Sequence, residues 1–159
     1  MAVLDTLPGV TVSINVDGQP LPEYKDDTEE ETLDGPVAEY QTARTVCKYV
    51  EAISDKEFCI KMTLDAPFRM DCPSLEFACS IDGHRTHAPL IRKAAHSLRM
   101  RGDIVISPIE RLHDGVRVEA PGRKDREFIK NFKFAKIETS TFFHKLFCAS
   151  LYANWRSIP

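Results

Sequence analysis

The chain has 159 residues, 43% of them apolar and 28% charged, with a formal net charge of −3 and an isoelectric point near 6.0. That composition suffices for one sizeable core without disulfide support, and it excludes a uniformly basic nucleic-acid domain. The small net charge conceals an asymmetry: residues 1–84 hold 6 Lys+Arg against 17 Asp+Glu, a net of −11, whereas residues 85–136 hold 13 against 6, a net of +7.

Val10 to Val16 alternates apolar with small polar residues and predicts a half-buried strand. Asp17-Gly18, a pair that tolerates positive φ, then predicts a tight turn with Gln19-Pro20-Leu21 extended beyond it. From Glu23 to Glu39 the chain carries eight acids and one lysine and reads as an exposed acidic loop. Thr45 to Ile53 and Phe58 to Leu64 concentrate β-branched and aromatic residues around the polar Ser54 to Glu57, which predicts an antiparallel hairpin. Leu75, Phe77, Cys79 and Ile81 alternate before Asp82-Gly83, and His84 to His87 returns, a second hairpin with Cys79 facing the core.

Pro89 to Met100 predicts a short helix, with Leu90, Ala94 and Leu98, or Ile91, Ala95 and Leu98, on one face. Gly102 ends it. Asp103 to Ser107 and Gly115 to Glu119 read as strands around a turn at Arg111 to Asp114, and Phe128 to Ile137 closes the pattern with Phe132 and Phe134 on one face. Many short strands with turn signals between them predict a mainly β domain over 1–139, an antiparallel sandwich of jelly-roll type. The remaining 140–159 form an apolar tail in which Phe142, Phe143, Leu146, Phe147, Leu151 and Trp155 mark a helical stripe.

The stretches Leu7 to Val12, Val16 to Leu21, Tyr49 to Ala52, Phe58 to Ile60, Ile81 to Gly83, Pro89 to Ile91, Phe132 to Phe134 and Ile137 to Thr139 resemble a family of uncharacterised fungal proteins that share domain of unknown function 7918. The resemblance covers residues 1 to about 139 and implies an intracellular β-rich domain; it brings no activity and no catalytic residue. The family pattern continues in strand sequence where this chain reads Ser140 to Cys148. We expect the tail to be a splice or gene-model variant that leaves a sheet edge open, an idea that transcript reads supporting only this tail would sink.

Candidate chemistry is sparse. Cys72, Cys79, His84 and His87 are zinc-type donors, but two histidines three apart on a strand face opposite sides and alternation turns Cys79 inward. His144 and Cys148 share a face of a helical tail, with no third group to orient them. Asp82, His84 and His87 are the residues a small hydrolase would have to join. The acids of 23–39 lack the glycine and ligand spacing of a calcium loop, and no nucleophile elbow, phosphate loop or dinucleotide fingerprint occurs. No catalytic residue, cofactor or metal is therefore assigned.

The basic half offers a binding face instead: Arg92, Lys93, Arg99, Arg101, Arg117, Arg123, Lys124, Arg126, Lys130, Lys133 and Lys136, interleaved with Phe128, Phe132 and Phe134. Cations neutralise phosphates and aromatics stack bases, yet phenylalanines facing a core with lysines guarding strand edges gives the same pattern. Five irregularly spaced cysteines, and an N-terminus with neither a basic start nor an apolar run of signal length, point to an intracellular protein, cytoplasmic or nuclear. Phe142 to Trp155 is interrupted by polar residues and shorter than the roughly 20 residues of a membrane span. The expectation is a non-enzymatic interaction or scaffold module with a protein partner; nucleic-acid binding and an unrecognised hydrolase are the alternatives.

Overall fold

The computed structural model describes residues 2–3, 7–25, 45–86, 90–120, 123–136 and 147–148, with the main chain alone at 3, 120, 123–126 and 147–148. The architecture is mainly β and its ladders are antiparallel. In chain order the strands are β1 (Ala2–Val3), β2 (Val10–Val16), β3 (Gln19–Pro20), β4 (Glu23–Tyr24), β5 (Tyr49–Val50), β6 (Glu57–Leu64), β7 (Ser74–Glu76) and β8 (Ser80–Ile81). They continue with β9 (His84–Arg85), β10 (Leu90–Arg92), β11 (Met100–Arg101), β12 (Ile104–Val105), β13 (Ile109–His113), β14 (Gly115–Ala120), β15 (Arg123–Lys133) and β16 (Phe147–Cys148). Among the described residues the helical segment is 3₁₀, Lys93–Arg99, kinked at His96 (φ −121°, ψ 20°). Among the described residues no helix is long and apolar enough to cross a membrane.

The two Asp-Gly turns form as their residue types demand. Asp17 and Gly18 sit at φ 51° and 78°, Asp82 and Gly83 at 51° and 77°, the paired positive φ of a two-residue hairpin. They join β2 to β3 through Val16↔Gln19 and β8 to β9 through Ile81↔His84.

β6 is the centre of the fold. One edge pairs with β2 from Val10↔Leu64 to Asn15↔Cys59, and β6 also pairs with β13 from Ile109↔Leu64 to His113↔Ile60 and with the end of β15 through Phe132↔Phe58. Period-two alternation then puts Phe58, Ile60, Met62 and Leu64 on one face, all buried, while Cys59, Lys61 and Thr63 face away. One apolar cluster gathers Ile14, Val16, Phe58, Ile60, Met62, Cys79, Phe132 and Phe134; a second gathers Leu64, Phe68, Met70, Leu75, Ile91, Met100, Val105 and Ile109. Phe77 packs against both. The short ladders β7 with β10, β8 with β9 and β11 with β12 supply the covering side chains.

Several sequence expectations are corrected. Thr45 to Ile53 does not form a hairpin with β6: β5 pairs with β4 and β16, while the 53–56 turn is held by Phe134, the residue just after β15, with Asp55 N–H donating to Phe134 O at 3.2 Å and Phe134 N–H to Lys56 O at 3.0 Å. The acidic segment opens as strand, with Glu23↔Val50 and Tyr24↔Tyr49, and from Asp26 to Arg44 it lies outside the described residues. Arg111 to His113 is strand, because Ile109 and His113 are buried against β6, and the break between β13 and β14 is the single residue Asp114. The expected helix is a 3₁₀ turn that buries none of its residues; Ile91 is buried by pairing with Leu75 in a ladder, and Leu98 is 96% exposed. Phe147–Cys148 is extended and pairs with Val50 and Tyr49 where a helical tail was expected, and the rest of 137–159 lies outside the described residues. β2 is buried on both faces in its second half, Ser13 donating to Asn15 Oδ1 at 2.8 Å.

Candidate interaction surfaces

The basic residues predicted to share one face are divided between two places. Lys93, Arg99 and Arg101 belong to the helix and the β11–β12 hairpin that follow Arg92, whereas Arg117, Lys130 and Lys133 belong to the β14–β15 ribbon. Arg123, Lys124 and Arg126 lie on β15 by their main chain, their side chains outside the described set, and Lys136 is exposed just beyond that strand.

At the first place the register builds a surface. Met100↔Val105 faces inward and both residues are buried, so Arg101↔Ile104 faces outward. An isolated bridge pairs Arg69 with Ile104, fixed by Met70 N–H to Asp103 O at 2.8 Å and Val105 N–H to Phe68 O at 3.0 Å. Ile106 N–H donates to Arg99 O at 2.9 Å and extends the row. Arg69, Ile104 and Arg101 thus stand side by side, with Arg99, Ile106 and Leu98 adjoining, and Ile104 and Ile106 are exposed to 42% and 56%. Sequence reasoning missed Arg69, Ile104, Ile106 and the exposure of Leu98. The alternation Phe68-Arg69-Met70 was a usable signal for the first, but the unbroken run Ile104-Val105-Ile106 hides which side faces out.

Lys93 binds Asp103, and that hydrogen bond, with the Lys93 charge and then the charge of Arg69, holds the Asp103 carboxyl below its usual range. Arg99 donates to the Pro108 carbonyl, which leaves its positive charge uncompensated. Among the described residues Arg69, Arg99 and Arg101 form no ion pair with a carboxylate. Behind them Arg111 Nη2 lies 2.9 Å from His96 Nε2; burial first, then Arg111 and Arg99, lower the His96 pKa.

At the second place β14 and β15 pair from Gly115↔Asn131 to Glu119↔Glu127, with a bulge before Ala120↔Arg123. Glu127 to Asn131 are exposed throughout, Phe128 to 47% and Ile129 to 54%. Phe132 and Phe134 are buried, stacked on Phe58 at 5.5 and 4.5 Å between ring centroids, so Phe128 alone of the three interleaved phenylalanines is presented to solvent.

The residues considered for chemistry part company. His84 and Asp82 are at the exposed β8–β9 turn, while His87 lies outside the described residues. Cys79 is buried instead against the first cluster, and burial pushes its thiol up. A polar chain that no motif announced leads from it: Thr86 Oγ1 donates to the Cys79 carbonyl at 3.0 Å, and His113 Nε2 lies 2.9 Å from Thr86 Oγ1. Which of the hydroxyl and the imidazole donates across the second contact follows the His113 tautomer. With His113 buried and edge-on to Phe132 at 4.9 Å, the chain pins the β9 loop to β13. Among the described residues no group of three or more His, Cys, Asp or Glu is placed to hold a metal. His144 lies outside the described set, as does the Cys148 side chain.

A family model described as Domain of unknown function (DUF7918) matches residues 9–144. The chain belongs to this family. Both surfaces, the 69/99/101/104/106 row and the β14–β15 ribbon, fall inside the matched DUF7918 region. No curated protein and no solved structure matches the chain.

Proposed function

We propose that this DUF7918 protein is a non-enzymatic intracellular interaction module, which takes an acidic segment of a partner protein on the outer row of Arg69, Arg99, Arg101, Ile104 and Ile106. The carrying observation is that Arg69, Arg99 and Arg101, which form no ion pair with a carboxylate among the described residues, stand beside the exposed Ile104 and Ile106 on main chain fixed by hydrogen bonds. Arginine with apolar neighbours is the composition of a binding hot spot, and a rigid ribbon loses little entropy on docking. Leu98, at the end of the helix, adds an apolar anchor beside the charges.

Fluorescence titration of the purified chain with acidic peptides bearing leucine and phenylalanine, with acidic peptides lacking them, and with random oligonucleotides tests this reading. Binding of the first set only, weakened at least tenfold by Arg101→Glu, is the expected result, equivalent to about 1.4 kcal/mol. Salt-sensitive binding of the oligonucleotides in preference to every peptide overturns it in favour of a nucleic-acid partner.

A further inference from the structure

A different surface carries a further interaction. β14 ends the strand order of the central sheet, and among the described residues nothing pairs with its outer edge. The phase of its ladder follows from one bond: Phe132 N–H donates to Asp114 O at 2.8 Å. Continuing that alternation, Val116 and Val118 exchange main-chain hydrogen bonds with Lys130 and Phe128, so the N–H and C=O groups of Gly115, Arg117 and Glu119 point away from β15. An open edge of this kind is a template for another strand.

The edge complements itself. Arg117 and Glu119 lie two residues apart, on the same face of β14, with opposite charge. If two copies pair antiparallel about a two-fold axis at Val118, Arg117 of each stands opposite Glu119 of the other, and the outward main-chain groups of those residues meet in a narrow hydrogen-bonded pair. Centring the axis on Arg117 or on Glu119 sets like charges opposite each other. Within one chain Glu119 already stands opposite Glu127, a repulsive cross-strand pair. Arg117 reaches Glu127 only diagonally, at 3.7 Å, with both side chains exposed. A second copy would place a cation directly beside Glu119. On the opposite face Val118 would meet its own equivalent, next to Phe128, whose ring is otherwise half in water.

From this we propose that the chain forms a two-fold dimer through β14, extending the β14–β15 ribbon into four strands. The proposal does not depend on the partner row described above. Sedimentation velocity on the full chain tests it with Arg117→Glu, Glu119→Arg and the double swap, each first checked for native circular dichroism. The native chain is expected to dimerise, and each single variant to be monomeric at the concentration where the native chain is half dimer. An equimolar mixture of the two single variants, and the double swap alone, are expected to restore dimer, because each re-creates opposite charges across the axis. A monomeric native chain overturns the proposal; so do single variants that still dimerise, and so does failure of both the mixture and the double swap to recover dimer.

Discussion

His96 shows how a single residue acquires its state from neighbours the sequence keeps far away. The Arg111 guanidinium is always protonated and so donates to His96 Nε2, which holds the imidazole neutral with its proton on Nδ1. Its pKa in the folded chain lies below the ordinary value of about 6.5, lowered by burial and by Arg111 and Arg99. Because the unfolded chain binds that proton more readily, stability from this site is complete above about pH 6.5 and declines as pH falls toward the folded pKa. Thermal unfolding followed between about pH 7.5 and pH 5 is expected to show a smaller drop in Tm for His96→Gln than for the native chain. Parallel curves would remove the assignment. Nothing in the sequence links positions 96 and 111; the link arises because β13 passes beside the 3₁₀ helix.

At the scale of elements, the β14–β15 ribbon depends on a close approach at its base. A Cβ on Gly115 would come within 2.4 Å of the Lys130 carbonyl oxygen, a main-chain atom that cannot move without breaking the ladder. Gly115→Ala is therefore expected to destabilise the protein by about 1–3 kcal/mol, read from the midpoint of urea unfolding. An unchanged midpoint would mean that β14 does not approach β15 this closely. Gly9 plays a similar part where β2 begins: its φ is 86°, its carbonyl accepts from Asp65 N–H at 2.7 Å, and a Cβ there would meet Asp65 O at 2.2 Å. Elements with strong local signals were legible. The strand at Val10–Val16, the strict alternation of β6 and both Asp-Gly turns are where the residues put them, although β2 is buried on both faces in its second half. The turn expected at Arg111 to Asp114 was misplaced because a charged and polar run reads as loop until β6 supplies a ladder for it.

Across the whole molecule the two apolar clusters are joined by one strand, with Ile60 and Met62 in the first and Leu64 in the second. Removing a side chain at that junction is expected to weaken both. Leu64 is fully buried, so Leu64→Ala should cost about 2–5 kcal/mol, and hydrogen exchange should accelerate equally at amides of β2 and of β12. Faster exchange confined to one cluster would show that they open independently. The charge asymmetry also resolves at this scale. The acidic excess is concentrated in a sequence segment between β4 and β5, whereas the basic residues fall in two separate places, the 92–101 segment and the β14–β15 ribbon.

By itself the sequence determined the mainly β architecture, the inward face of β6 and the tight Asp-Gly turns, because period-two alternation and positive-φ residues act over a few neighbouring positions. Strand partners were another matter. Which strand lies beside β6, which side of Ile104-Val105-Ile106 faces water, and that Arg69 joins Arg101 across Ile104 were decided by pairings between distant segments. Such pairings depend on competition among several compatible strands for the same hydrogen-bonding edges, and that competition is settled only by the packing of the complete core.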